Sequence, residues 1–148
     1  NDLVVSNSSG ERFITLFLAR YDQRSQVLEY VNAAHNPPVI INTGTGDASV
    51  LKQSCVGVGM LDEMPCVRTD HLTLDGPTKI ICYTDGLSEL KDESGRDLGI
   101  SPLVKHFPNS KPLSDNIDDL ISDLDISAGN QRLFDDVSIL AIEIRPHL

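Results

Sequence analysis

The chain has 148 residues, 40% of them hydrophobic, enough for one domain to fill a core without disulfides or a structural metal. Its formal net charge of −10, with no basic cluster, excludes a general nucleic-acid binder, since phosphate recognition rests on Lys and Arg; cations or basic protein surfaces are the expected company. Three cysteines, Cys55, Cys66 and Cys82, lie in or beside apolar stretches without CxxC spacing, which argues against a zinc site or disulfide framework and for a reducing cytoplasm. There is no signal-peptide pattern and no apolar run long enough to span a bilayer, so no direct membrane contact is expected. A first residue of Asn1 rather than Met suggests a processed or excised segment.

In chain order, residues 13–19 are almost continuously apolar and suit a buried strand. The polar turn Asp22-Gln23-Arg24-Ser25 then leads into a second strand over 26–32, making a hairpin. A further hairpin pairs 39–41 with 48–51 around Asn42-Thr43-Gly44-Thr45-Gly46-Asp47, whose glycines accept positive φ. Strands over 67–74 and 79–84 are joined by Asp75-Gly76-Pro77, which makes them antiparallel candidates, and 137–144 forms the last strand. Ser101-Pro102 caps and opens a short helix over 103–107. Ser114 is placed to cap a second helix, in which Ile117, Leu120, Ile121 and Leu124 recur on one face that should pack on the sheet. No repeat or linker interrupts this single domain.

Two acidic points stand against buried strands. Asp85 follows Lys79-Ile80-Ile81-Cys82-Tyr83-Thr84 and precedes Gly86, where the backbone can turn sharply and leave a carboxylate at the strand end. Asp135 and Asp136 precede the last strand. Each alone reads equally as a polar turn. Together, carboxylates at the ends of two strands can converge on a hard cation, which would offset their desolvation. His35, between a strand and the Asn36-Pro37-Pro38 turn, reads either as catalytic or as a hydrogen-bonded lock on the loop, with no evident nucleophile partner. Thr43-Gly44-Thr45-Gly46 lacks the helix and Gly-Lys-Ser/Thr of a phosphate loop and reads as a hairpin tip. Cys82 reads as an inert core thiol.

Taken in order, Phe13-Ile14-Thr15-Leu16, Tyr30-Val31-Asn32-Ala33-Ala34-His35-Asn36-Pro37-Pro38, Val56-Gly57-Val58-Gly59, Tyr83-Thr84-Asp85-Gly86-Leu87-Ser88-Glu89 and Asp135-Asp136-Val137-Ser138 resemble one family. It is the metal-dependent serine/threonine protein phosphatases, protein phosphatase 2C-like, in their bacterial SpoIIE/RsbU-type branch. The resemblance runs over nearly the whole chain, with Ala34 standing where the branch usually has glycine. It implies an α/β (α+β) fold, a four-layer α-β-β-α sandwich with two central antiparallel sheets, incomplete at the N-terminus. It also implies two manganese or magnesium ions, with Asp85 and Asp135 as ligands and Asp136 as a third candidate, orienting a ligand or water; Gly86, His35 and Asn36 are structural neighbours of the site.

The early Gly-Asp segments that carry further ligands in the family do not occur here. Residues 1–12 resemble the tail that follows them, so residues 1–148 match the C-terminal part of such a domain. Two functions are implied. One is hydrolysis of phosphoserine or phosphothreonine on an anti-sigma-factor antagonist, as the output module behind an upstream sensor or receiver domain. The other is a pseudophosphatase that binds the same partner without hydrolysis. Without the front strands, apolar groups near residues 13–19 should be uncovered, and an exposed edge of this kind admits a homodimer.

Overall fold

In a computed structural model, residues 1–8, 12–52, 54–126 and 135–145 are described; part of the tail expected over 1–12 lies outside them. The elements run α1 (Asp2–Ser8), β1 (Leu16–Asp22), β2 (Val27–Ala33), β3 (Val39–Asn42), β4 (Ala48–Val50), β5 (Asp70–Thr73), β6 (Thr78–Tyr83), α2 (Asp85–Ser88), α3 (Ser101–His106), α4 (Leu113–Asp123) and β7 (Ile139–Ile144). The result is a mixed α+β chain with two antiparallel sheets, as the sequence led us to expect. No helix among the described residues is long and apolar enough to cross a membrane. Residues 1–37 and 51–75 form one compact unit, and 38–50 with 76–145 the other.

The first unit carries a three-stranded sheet in the order β1-β2-β5. Its hairpin is set by Asp22, whose Oδ1 accepts the N–H of Arg24 at 3.0 Å and of Ser25 at 2.8 Å, while Gln26 takes φ 58° to close the turn. Along β2 the residues alternate, with Leu28, Tyr30 and Asn32 buried. The neighbouring strand does not repeat this: Leu16 is 44% and Leu18 63% exposed. Strand β1 runs over 16–22 rather than 13–19; Leu16 and Leu18 lie bare, as expected for apolar groups left uncovered near 13–19, while Phe17 is half-buried against the Tyr30 ring.

The second unit carries a four-stranded sheet in the order β4-β3-β6-β7. Val39, Ile41, Ile81 and Tyr83 on the sheet pack with Leu87, Leu103, Phe107 and Leu120 into one core. Side chains of this size contribute roughly 1.5–3 kcal/mol each when buried. The α4 stripe behaves as its periodicity predicts, with Leu120 fully buried, Ile117 and Leu124 against the core, and Ile121 at its exposed margin.

Three further expectations need correction. Strands β5 and β6 do not pair: β5 adds to β2, β6 sits between β3 and β7, and Asp75-Gly76-Pro77 carries the chain from one sheet to the other. Periodicity identifies a strand but not the sheet it joins. Neither serine caps its helix: Ser101 is the first residue of α3, after Ile100, and α4 begins at Leu113, two residues before a Ser114 cap would start it, with the Ser114 hydroxyl turned to Asp115.

One buried residue escaped the sequence reading. Lys79, on β6, is fully buried, and its ammonium donates to the carbonyls of Asn109 at 2.9 Å and Lys111 at 3.0 Å and to Oδ1 of Asn116 at 2.5 Å. Three N–H groups meet three acceptors, so the charge is solvated by the protein itself. Asn116, also buried, passes the network on to the His106 carbonyl and to Asn109 Oδ1.

Candidate metal centre

The candidate centre begins where the buried run of β6 stops. After Tyr83 the backbone stays extended for one residue, Thr84 (φ −86°, ψ 160°), and then turns into α2. The Thr84 carbonyl accepts the N–H of Leu87 at 3.1 Å, so it serves the new turn. Asp85 opens that turn: its carbonyl receives the Glu89 N–H at 2.9 Å and the Ser88 hydroxyl at 3.1 Å. Its side chain is exposed, with Oδ1 accepting the N–H of Gly86 at 3.1 Å.

The second acidic point is held against the first through the backbone. The Thr84 N–H donates to the Ser138 carbonyl at 3.1 Å, extending the β6–β7 ladder by one step. The Thr84 hydroxyl accepts the Ser138 N–H and donates to the Asp136 carbonyl, both at 2.9 Å. Gly86 is required by close approach: a Cβ there would lie 2.6 Å from the Asp136 carbonyl oxygen and 3.2 Å from that of Asp135. Asp135 is exposed, and its Oδ1 accepts the Asp136 N–H at 2.8 Å. Asp136 contributes its carbonyl to this junction, and its side chain is exposed.

Neither Asp85 nor Asp135 is paired with a lysine, arginine or histidine among the described residues, although eight ion pairs hold other acids. Carboxylates that approach one another repel, and a divalent cation between them relieves that repulsion. The donor chemistry fits magnesium or manganese, both of which take oxygen ligands. The donor count is short: no group of three His, Cys, Asp or Glu side chains that could hold a metal occurs among the described residues. On the adjoining strand, burial pushes the Cys82 thiol up, away from the thiolate a nucleophile needs.

His35 and Asn36 belong to the other unit. There the bend after β2 is tied by Asn32, which is buried: its Oδ1 accepts the His35 N–H at 2.9 Å and its Nδ2 donates to the Leu51 carbonyl at 3.2 Å. The His35 ring is half-buried, with Nδ1 3.4 Å from the Thr15 hydroxyl, and Asn36 is half-buried beside it. Asn32 was missed because a polar residue at the end of an apolar strand reads as the strand's exit, not as its anchor. Ala34 takes φ 54°, the left-handed conformation that glycine adopts freely. Bridges from Ile14 to Val58 and from Ala33 to Cys55 gather the remaining motif stretches in this unit.

Known proteins share the fold and the family. Protein IcfG of Synechocystis sp. is 30% identical over 135 residues, an alignment that takes in 88% of this chain and 20% of that protein. The SiaA-PP2C domain of Pseudomonas aeruginosa has the same fold at 20% identity, with a TM-score of 0.69 over 88% of this chain and 51% of that one. The manganese-presoaked phosphatase domain of SpoIIE from Bacillus subtilis matches at 16% identity, with a TM-score of 0.64 over 91% of this chain and 58% of that one. The chain thus spans about a fifth of the curated relative it matches and about half of these solved structures. The family described as Stage II sporulation protein E (SpoIIE) matches residues 1–145, and the chain belongs to it.

Proposed function

We propose that this chain carries Asp85 and Asp135 to a divalent-metal centre that hydrolyses phosphoserine or phosphothreonine on a regulatory protein of the anti-sigma-factor-antagonist type. The observation that carries this reading is the junction of two acid-bearing segments through Thr84 and Gly86, with both carboxylates exposed and without a cationic partner among the described residues. Family membership and the manganese presoak of the Bacillus subtilis domain support the choice of ion. Magnesium or manganese, when bound, supplies a water of lowered pKa and polarises the phosphoryl group. Asp85 and Asp135 offer oxygen donors and offset the positive charge of the ions. Asp136 stands next to them to orient a ligand or water. Further ligands come from outside the described residues, and an upstream sensor or receiver domain governs the output.

The short donor set favours a second reading, a pseudophosphatase that grips the same partner without turnover. Phosphate release from a phosphoserine protein by the full-length protein separates the two. The enzyme requires added manganese or magnesium, stops with EDTA, and loses roughly a hundredfold or more in Asp85→Asn and Asp135→Asn. Binding of the phosphorylated partner with no release of phosphate at any metal concentration establishes the pseudophosphatase instead.

A further inference from the structure

We propose that Thr84 is the positioning residue of the centre, and that its hydroxyl, acting beside the backbone bond from its N–H to the Ser138 carbonyl, sets where Asp135 stands relative to Asp85. The inference rests on the reading of those two aspartates as metal ligands. At the end of β6 the chain has two demands on one carbonyl. A continuing ladder to β7 needs an acceptor for the Ser138 N–H, and the turn into α2 needs an acceptor for the Leu87 N–H. The Thr84 carbonyl takes Leu87, and the hydroxyl takes Ser138 in its place. The same hydroxyl has one proton to give, and it goes to the Asp136 carbonyl. The hydroxyl is turned to the Asp135–Ser138 segment through its donor and one acceptor position, and Thr84 precedes α2 without capping it. The segment from Asp135 to Ser138 is thereby pinned at two backbone points beside Gly86, whose missing Cβ leaves room for it.

A hydroxyl is the property required here, not the branched shape. Thr84→Val keeps the shape and loses both bonds; Thr84→Ser loses a methyl and keeps them. Manganese affinity of the full-length protein, measured by titrating free Mn2+ with electron paramagnetic resonance, reads the effect directly and does not depend on turnover. The expected result is a dissociation constant raised at least tenfold in Thr84→Val and within twofold of wild type in Thr84→Ser. The metal-free unfolding midpoint is measured alongside. Thr84→Val that folds and binds manganese within twofold of wild type overturns the proposal, whatever its midpoint. Should Thr84→Val not fold, Thr84→Ala is held to the same criterion. Asp85→Asn and Asp135→Asn distinguish the two layers of the argument. If they weaken binding while Thr84→Val does not, only the role of Thr84 fails; if they too bind manganese as wild type does, the metal-ligand reading fails and takes this one with it.

Discussion

Replacing Lys79 by Met should cost about 3 kcal/mol of stability, because it removes every donor from a cluster of inward-facing oxygens. Met nearly matches the length of the lysine stem, so packing beside Ile41, its cross-strand partner, and Ile81, on the same face of β6, changes little, and the thioether gains roughly 1.5 kcal/mol of apolar burial. Against that, the carbonyls of Asn109 and Lys111 and Oδ1 of Asn116 lose their partner, at about 1–3 kcal/mol for each buried acceptor left unsatisfied. Urea unfolding of the purified wild type and variant measures the difference, and a thermal midpoint lower by about 6–12 °C should accompany it. The pH dependence carries a sign of its own. Burial pushes the Lys79 ammonium below its ordinary value, with Glu143 pulling it back. The unfolded chain therefore holds that proton more tightly than the fold does. The wild type should gain stability relative to Lys79→Met as pH rises from the depressed folded value towards the ordinary lysine value of about 10.4. A variant within about 0.5 kcal/mol of wild type, below the ordinary cost of even one orphaned acceptor, would refute the reasoning.

Ala34→Gly should stabilise the protein by about 0.5 kcal/mol, since relief of a left-handed residue worth about 1–2 kcal/mol outweighs the extra freedom of glycine in the unfolded chain; denaturant midpoints read it, and a loss of stability would contradict it. Gly86→Ala should cost about 1–3 kcal/mol and weaken manganese binding, because its methyl meets the Asp136 carbonyl at 2.6 Å; unchanged stability and affinity would show that the two segments part easily. Residues 1–148 expressed alone should self-associate through the bare side of β1, and Leu18→Lys should reduce it. Sedimentation of a monomer at all concentrations would show that this surface is not adhesive.

What the sequence made legible follows local rules. The turn at Asp22 and the four-residue spacing of Leu120 and Leu124 are written in adjacent residues, and each produced the element expected. The Thr-Asp-Gly and Asp-Asp stretches were recognisable as acids at strand ends for the same reason. What stayed hidden depends on partners far along the chain. Lysine is so rarely buried that Lys79 is visible only once Asn109, Lys111 and Asn116 surround it. The bond from Thr84 to Asp136 spans 52 positions, and nothing local announces it. The exposure of Leu16 and Leu18 was expected from the family resemblance, whose front strands this chain lacks, and not from apolar composition, which by itself reads residues 13–19 as a buried strand.

The central claim, that Asp85 and Asp135 together hold a divalent ion, is tested most directly by anomalous diffraction at the manganese edge from crystals of the full-length protein grown with Mn2+. The account predicts an anomalous peak about 2–2.5 Å from a carboxylate oxygen of each aspartate, beside the Thr84–Gly86 junction. Carboxylates turned to opposite sides of that junction, with manganese bound elsewhere or not at all, would contradict it.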